Sequence, residues 1–310
     1  MSHHAKIARE DLARLHQLRP MIWLKDFLLD WGVIVLVFWA FASLGKPWYL
    51  IPVAALIIGA RLHALAILAH DGTHRVAFRN RRLNEFLSEV GVGWTILVTV
   101  MHGYRPWHFD HHRELGTIED PEISSYRSDK VYETPSDFRR ICRLFVTDML
   151  GFGVGDLLKF HIAVLPKNLS HMAGPVALWI GFLGVCLWTN SLWVFALWSW
   201  SIVSGFWAVF RIRTWSEHVG AEGHDHSKSH RFSAGPIARF FFFPHNTYCH
   251  FEHHIWSQVP YYNLPLARAL YDEEPIIPVT QLFLNFHEKL DPLEHGTGTL
   301  PEPERIGHAA

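Results

Sequence analysis

Met172-Ala-Gly-Pro-Val-Ala-Leu-Trp-Ile-Gly-Phe-Leu-Gly-Val-Cys-Leu-Trp-Thr189 and Ser191-Leu-Trp-Val-Phe-Ala-Leu-Trp-Ser-Trp-Ser-Ile-Val-Ser-Gly-Phe-Trp-Ala-Val-Phe210 contain no charged residue. A helix needs roughly 20 apolar residues to cross a bilayer, and each run is about that long. Only Thr189-Asn190-Ser191 joins them, so they predict a tight helical hairpin in a membrane. A second pair lies upstream. Residues 27–45 carry Asp30 near their start, and residues 49–68 are interrupted by Arg61 and His63. Between these two runs, Lys46-Pro-Trp-Tyr49 places an aromatic anchor where membrane interfaces favour one. The expected fold is therefore all-α and integral to the membrane, with four spans (27–45, 49–68, 172–189, 191–210) arranged as two hairpins.

Loop charge sets the orientation. The outer connections hold one basic residue, Lys46, whereas Arg75, Arg79, Arg81, Arg82, Arg211 and Arg213 flank the inner ends. The positive-inside rule then places both termini in the cytoplasm. The N-terminal segment, 1–26, is polar and basic and lacks the apolar core of a signal peptide. With 28 basic and 29 acidic side chains the charge is nearly balanced, and no nucleic-acid partner is expected. Three distant cysteines, Cys142, Cys186 and Cys249, provide neither a zinc ribbon nor a disulfide framework.

Between the hairpins, Gly91–Met101 is apolar but too short to cross, and reads as a helix lying in the interface or dipping into it. From His112 to about His171 the chain is charged and broken by prolines, as a cytoplasmic helical cap would be. Ala221–Gly235 is rich in His, Ser and Gly and reads as a loop, with His224, His226 and His230 solvated. Phe240–Phe243 is expected to rest on the membrane surface. The catalytic unit is drawn over 27–275, leaving 276–310 as a cytoplasmic tail.

Where the spans meet the cytoplasm the sequence places three histidine boxes: His70-Asp-Gly-Thr-His74, His108-Phe-Asp-His111-His112 and His250-Phe-Glu-His253-His254. Histidines at i and i+4 stack on one helix face, and an adjacent pair with a third residue upstream spreads imidazoles around one turn. Neutral imidazole is a ligand for iron, zinc, copper and nickel. Eight imidazoles exceed one metal's needs, so two metals are expected. His218, in Arg213-Thr-Trp-Ser-Glu-His218, follows its span much as His70 follows its own, and is a candidate ninth ligand. Neutral ligands leave the metal charge uncompensated, so nearby carboxylates should hold the rings; Asp71, Asp110, Glu217 and Glu252 are the candidates. His63 shares a face with His70 and is left to pair with an acid. His102 and His245 match no ligand spacing.

In order and placement, these boxes resemble those of the membrane-bound fatty acid desaturases and their hydroxylase and ketolase relatives. The likeness extends to Phe78–Asn84, Leu115–Pro121 and Val259–Pro265, which follow the three boxes, and covers roughly residues 30 to 275. It implies two non-haem irons, O2 as co-substrate and a kinked tunnel for an acyl or other aliphatic chain. It also implies that the eight box histidines ligate iron, that His218 matches an extra histidine some relatives use, and that Asn246 stands near the irons through water. With no haem, flavin or nucleotide motif, electrons are expected from a ferredoxin or haem-protein donor. Zinc is redox-inert and cannot form the oxidant that an unactivated C–H bond demands.

Two rivals read differently. A metal transporter would place ionisable ligands near the midplane of its spans, and the two clean spans carry none. An intramembrane zinc protease would need H-E-x-x-H on a helix, which the sequence lacks.

Overall fold

The computed structural model describes residues 8–117, 119–122, 138–218, 221, 228–271 and 275–284, and over these the chain is almost wholly helical. The short α1 (Arg9–Leu15) leads into α2 (Pro20–Ser43), and α3 (Ile51–Thr73) follows the turn at Trp48–Leu50. Both long helices carry proline in their first turn, where the missing N–H costs no hydrogen bond. Next come α4 (Arg81–Glu89), α5 (Arg105–Glu114), α6 (Phe138–Met149), α7 (Val154–Ala163), α8 (Ala173–Trp188), α9 (Leu192–Ser201) and α10 (Trp207–His218). The remaining helices are short: α11 (Pro236–Phe241), α12 (His250–Ile255), α13 (Leu264–Leu270) and α14 (Val279–Leu284). Among the described residues, three helical stretches are long and apolar enough to cross a membrane: Trp48–Thr73, Leu169–Trp188 and Leu192–His218. Asn190, at positive φ, turns the chain between the last two.

The charges that interrupt the upstream pair find each other. Arg61 of α3 donates to Asp30 of α2 at 2.9 Å, and His245 Nε2 lies 2.7 Å from the other Asp30 oxygen. All are shielded from solvent, where an unpaired charge would be costly. Helices α9 and α10 are joined by a π-helical turn, Ile202–Phe206, which packs directly on α3. There Gly59 and Gly205 let the backbones touch: a Cβ on Gly59 would lie 2.2 Å from Phe206 N, and one on Gly205 2.1 Å from Ala55 O.

Several expectations are corrected. Gly91–Met101 is no single helix. Leu97 takes a left-handed conformation after the 3-10 turn Gly93–Ile96, and the chain bends by 92° between Arg81–Ile96 and Val100–Glu114. His224 and His226 lie outside the described residues, but His230 is buried, not solvated; its N–H donates to Glu217 O at 2.7 Å. Just beyond it β1 (Phe232–Ser233) pairs in parallel with β2 (Ile277–Pro278), so packed structure continues past residue 275 into α14, where Leu282 is fully buried. Of the phenylalanine run, Phe240 is partly exposed and Phe243 is buried.

Candidate metal centre

The helix ends converge on one place. His70 occupies the last turn of α3 and His74 its C-cap; His108, His111 and His112 lie on α5. His218 ends α10, and His250, His253 and His254 lie on α12. Their ring nitrogens fall into two groups, His70, His74, His108, His112 and His253 in one, His111, His218, His250 and His254 in the other, each with ligand atoms within 4.8 Å of one another. The adjacent pair His111-His112 is thus divided between the groups, as is His253-His254.

The spacing within each group suits a cation. His108 Nε2 lies 2.9 Å from His74 Nε2 and 3.0 Å from His112 Nε2, which lies 3.1 Å from His253 Nε2. In the other group His250 Nε2 lies 2.9 Å from both His218 and His254 Nε2. Metal–imidazole bonds are about 2.1 Å, so ligands at right angles stand ~3.0 Å apart and tetrahedral ones ~3.4 Å. These separations fall near the right-angle value. Protons alone could not satisfy the set, because each ring nitrogen offers one hydrogen or one lone pair, and buried His70 Nε2 has no hydrogen-bond partner. Burial pushes His112 down to about 2 and His74, with help from Arg105, down to about 3. These rings are therefore neutral, as ligands must be.

Partners around His111, His218 and His250 orient these rings. His111 Nδ1 donates to Asp120 at 2.9 Å, and Glu122 stands 3.4 Å from its Nε2. Burial lowers the affinity of His111 for a proton, yet Glu122 and Asp120 outweigh it and raise the pKa above its ordinary value. His218 Nδ1 donates to Lys228 O at 3.1 Å. Glu217 lies 3.5 Å from His250 Nδ1 and is itself held by Arg213 at 2.6 Å.

The other expected supports are placed elsewhere. Asp110 is half exposed and pairs with Arg113 at 2.7 Å, facing away from the rings. Asp71 accepts the Tyr261 N–H at 3.0 Å, and Asn246 donates to Tyr261 O at 3.2 Å. Both therefore anchor the segment after the third box. Glu252, fully buried, binds Arg231 and Arg268 at 2.7 and 2.8 Å, tying α12 to α13. Among the described residues His63 pairs with no acid. Asp120 and Glu122 were missed because they sit beyond the box, past a turn at Gly116 with φ +83. The likeness of Leu115–Pro121 to the family takes in Asp120 but stops one residue short of Glu122.

Beside the first group is a cavity of about 50 Å³, lined by His70 and by apolar side chains including Ile96, Phe206 and Phe210. Apolar helices thus carry at their ends two histidine groups that could hold metal, with an apolar cavity alongside. The model of the fatty acid desaturase family matches residues 46–276, and the chain belongs to that family. It is 29% identical to a dihydrorhizobitoxine desaturase of Bradyrhizobium elkanii over 41% of this chain and 37% of that protein. It is 27% identical to an sn-1 acyl-lipid omega-3 desaturase (ferredoxin) of Synechocystis over 39% of this chain and 33% of that protein. These two alignments thus span little more than a third of the relatives' length. A human sphingolipid delta(4)-desaturase/C4-monooxygenase aligns more fully, at 27% identity over 87% of this chain and 82% of that protein.

Proposed function

We propose that the chain is a di-iron, O2-dependent desaturase that places a double bond in an acyl chain or related aliphatic substrate. The observation that carries this is the first group: five imidazoles around one point, at edges near 3.0 Å. That exceeds the four ligands of a structural zinc site, and imidazole would suit iron. The nine histidines hold the two metals, five and four. When bound, the iron pair supplies the oxidant that takes hydrogen from an unactivated C–H bond. Two substrate hydrogens, O2, two protons and two electrons from a ferredoxin or haem-protein donor leave as two waters and one C=C bond. The protein residues hold the ring nitrogens in place through Asp120, Glu217 and the Lys228 carbonyl. The apolar cavity keeps water from the reacting carbon.

In the membrane we assign four spans, with α2 joining the three others: from Phe27 to Ser43 its one charged residue is Asp30, which Arg61 neutralises. The arginine-flanked ends put the centre and both termini on the cytoplasmic side. Helices α6 and α7 leave Phe138, Val146, Leu150, Phe152, Leu158 and Ile162 exposed. A fully solvated cap would not show these, and they fit a pair of helices lying on the bilayer surface.

A second reading, hydroxylation, is favoured by the human relative, whose name carries both desaturase and monooxygenase. Both outcomes begin with the same hydrogen abstraction. Expression in a host of defined lipid composition, followed by mass spectrometry of lipids and small metabolites, separates them. A new product two mass units lighter supports desaturation, one sixteen units heavier supports hydroxylation, and no O2-dependent product at all contradicts both.

A further inference from the structure

One wall of the cavity is a single face of α3, along which His63, Ala66, Ile67 and His70 follow at helical spacing. Seven residues of helix rise ~10 Å, so the cavity reaches about that far from His70 toward the middle of the span. Besides His70, the polar lining residues are Tyr104, Arg213 and, seven residues up α3 from His70, His63. That side chain is fully buried, and among the described residues neither of its ring nitrogens has a hydrogen-bond partner. Its ring neighbours are Phe206 and Phe210, with centroids 6.5 and 6.3 Å away. Arg213 also lines the cavity, but its guanidinium is engaged by Glu217.

Each nitrogen of a neutral imidazole is a donor or an acceptor, and buried polar atoms are nearly always paired. An ionisable side chain inside a membrane helix is costly, faces the bundle interior and marks a ligand path. If the cavity received only alkyl carbon, phenylalanine or leucine would fill this place at lower cost.

We propose that His63 binds an oxygen carried by the substrate, and that the substrate class is an aliphatic chain bearing a hydroxyl or carbonyl on the segment that enters the cavity. An extended chain advances ~1.2 Å per bond, which puts the oxygen on the order of eight bonds from the carbon beside His70. A hydroxyl or carbonyl at that depth completes the imidazole's hydrogen bonding, and a plain chain leaves it unpaired. The inference rests on the reading of the site as a substrate-oxidising centre.

The test uses purified, iron-loaded protein with a reduced ferredoxin as electron donor. The substrates are saturated acyl chains of one length, either unsubstituted or bearing one hydroxyl or keto oxygen at successive carbons. The parent should favour one oxygen position over the plain chain by about 10–100-fold in kcat/KM, the scale of discrimination when a buried group is left unpaired. His63→Phe should lose that preference through a higher KM for the oxygen-bearing chain, and His63→Gln should keep part of it. The rise in melting temperature on adding each chain should follow the same order, which tests binding without turnover. If plain chains turn over and no oxygen position is preferred, the role of His63 is overturned and the desaturase reading stands. If the favoured chain binds through His63 but none is oxidised, the binding site stands and the desaturase reading falls.

Discussion

At the scale of single residues, the site depends on what lies behind each imidazole. His111 is held from Nδ1 by Asp120, which fixes the tautomer and leaves Nε2 for the metal. Loss of such a partner commonly weakens metal binding or activity about 10–100-fold. Asp120→Asn should therefore lower iron retention under a chelator by that order, read as iron per chain by elemental analysis, while Asp110→Asn should retain iron as the parent does. His218→Ala should lose iron from the second group, and an unchanged content would remove His218 from the ligand set. The boxes were legible because helical spacing alone places 70 with 74 and 108 with 112. The supports were not. Asp110 stands between two ring-bearing positions, but α5 turns it outward, and Asp120 returns to the ring only because the chain reverses at Gly116.

At the scale of elements, the close approach of α3 to the π-helical turn puts Phe206 and Phe210 across the cavity from His63 and His70. Gly205→Ala drives a Cβ against the Ala55 carbonyl, and overpacking of this kind costs roughly 1–3 kcal/mol. The variant should melt several degrees lower in detergent. Gly32→Ala, whose Cβ would meet nothing within 4 Å, should be neutral or slightly stabilising. A Gly205→Ala protein as stable as its parent would mean that the helices are not in backbone contact there. Apolar length exposed the long helices in the sequence, but not the bend at Leu97 or the π turn. At the bend, neighbouring side chains capture backbone carbonyls: Trp179 Nε1 donates to Trp94 O at 3.0 Å and Trp198 Nε1 to Thr95 O at 3.1 Å. Likewise Asp30 and Arg61 read in the sequence as interruptions of two spans, because their pairing runs across the helices.

At the scale of the whole molecule, the assignment of four spans makes a claim about sides. In sealed, right-side-out cells a cysteine at Asn190, on the turn between the last two long helices, should react with a membrane-impermeant maleimide. Native Cys142, which is exposed on α6, should react only after permeabilisation. The reverse pattern would invert the orientation. The central claim is chemical, however, and iron content beside Mössbauer spectroscopy tests it most directly. Protein purified from cells grown on iron-57 should hold about two irons per chain and little zinc, and its spectrum should show nitrogen-ligated, high-spin iron; five-plus-four imidazole sites predict no thiolate signature. A fully active preparation with one metal per chain, or with zinc alone, would contradict the account.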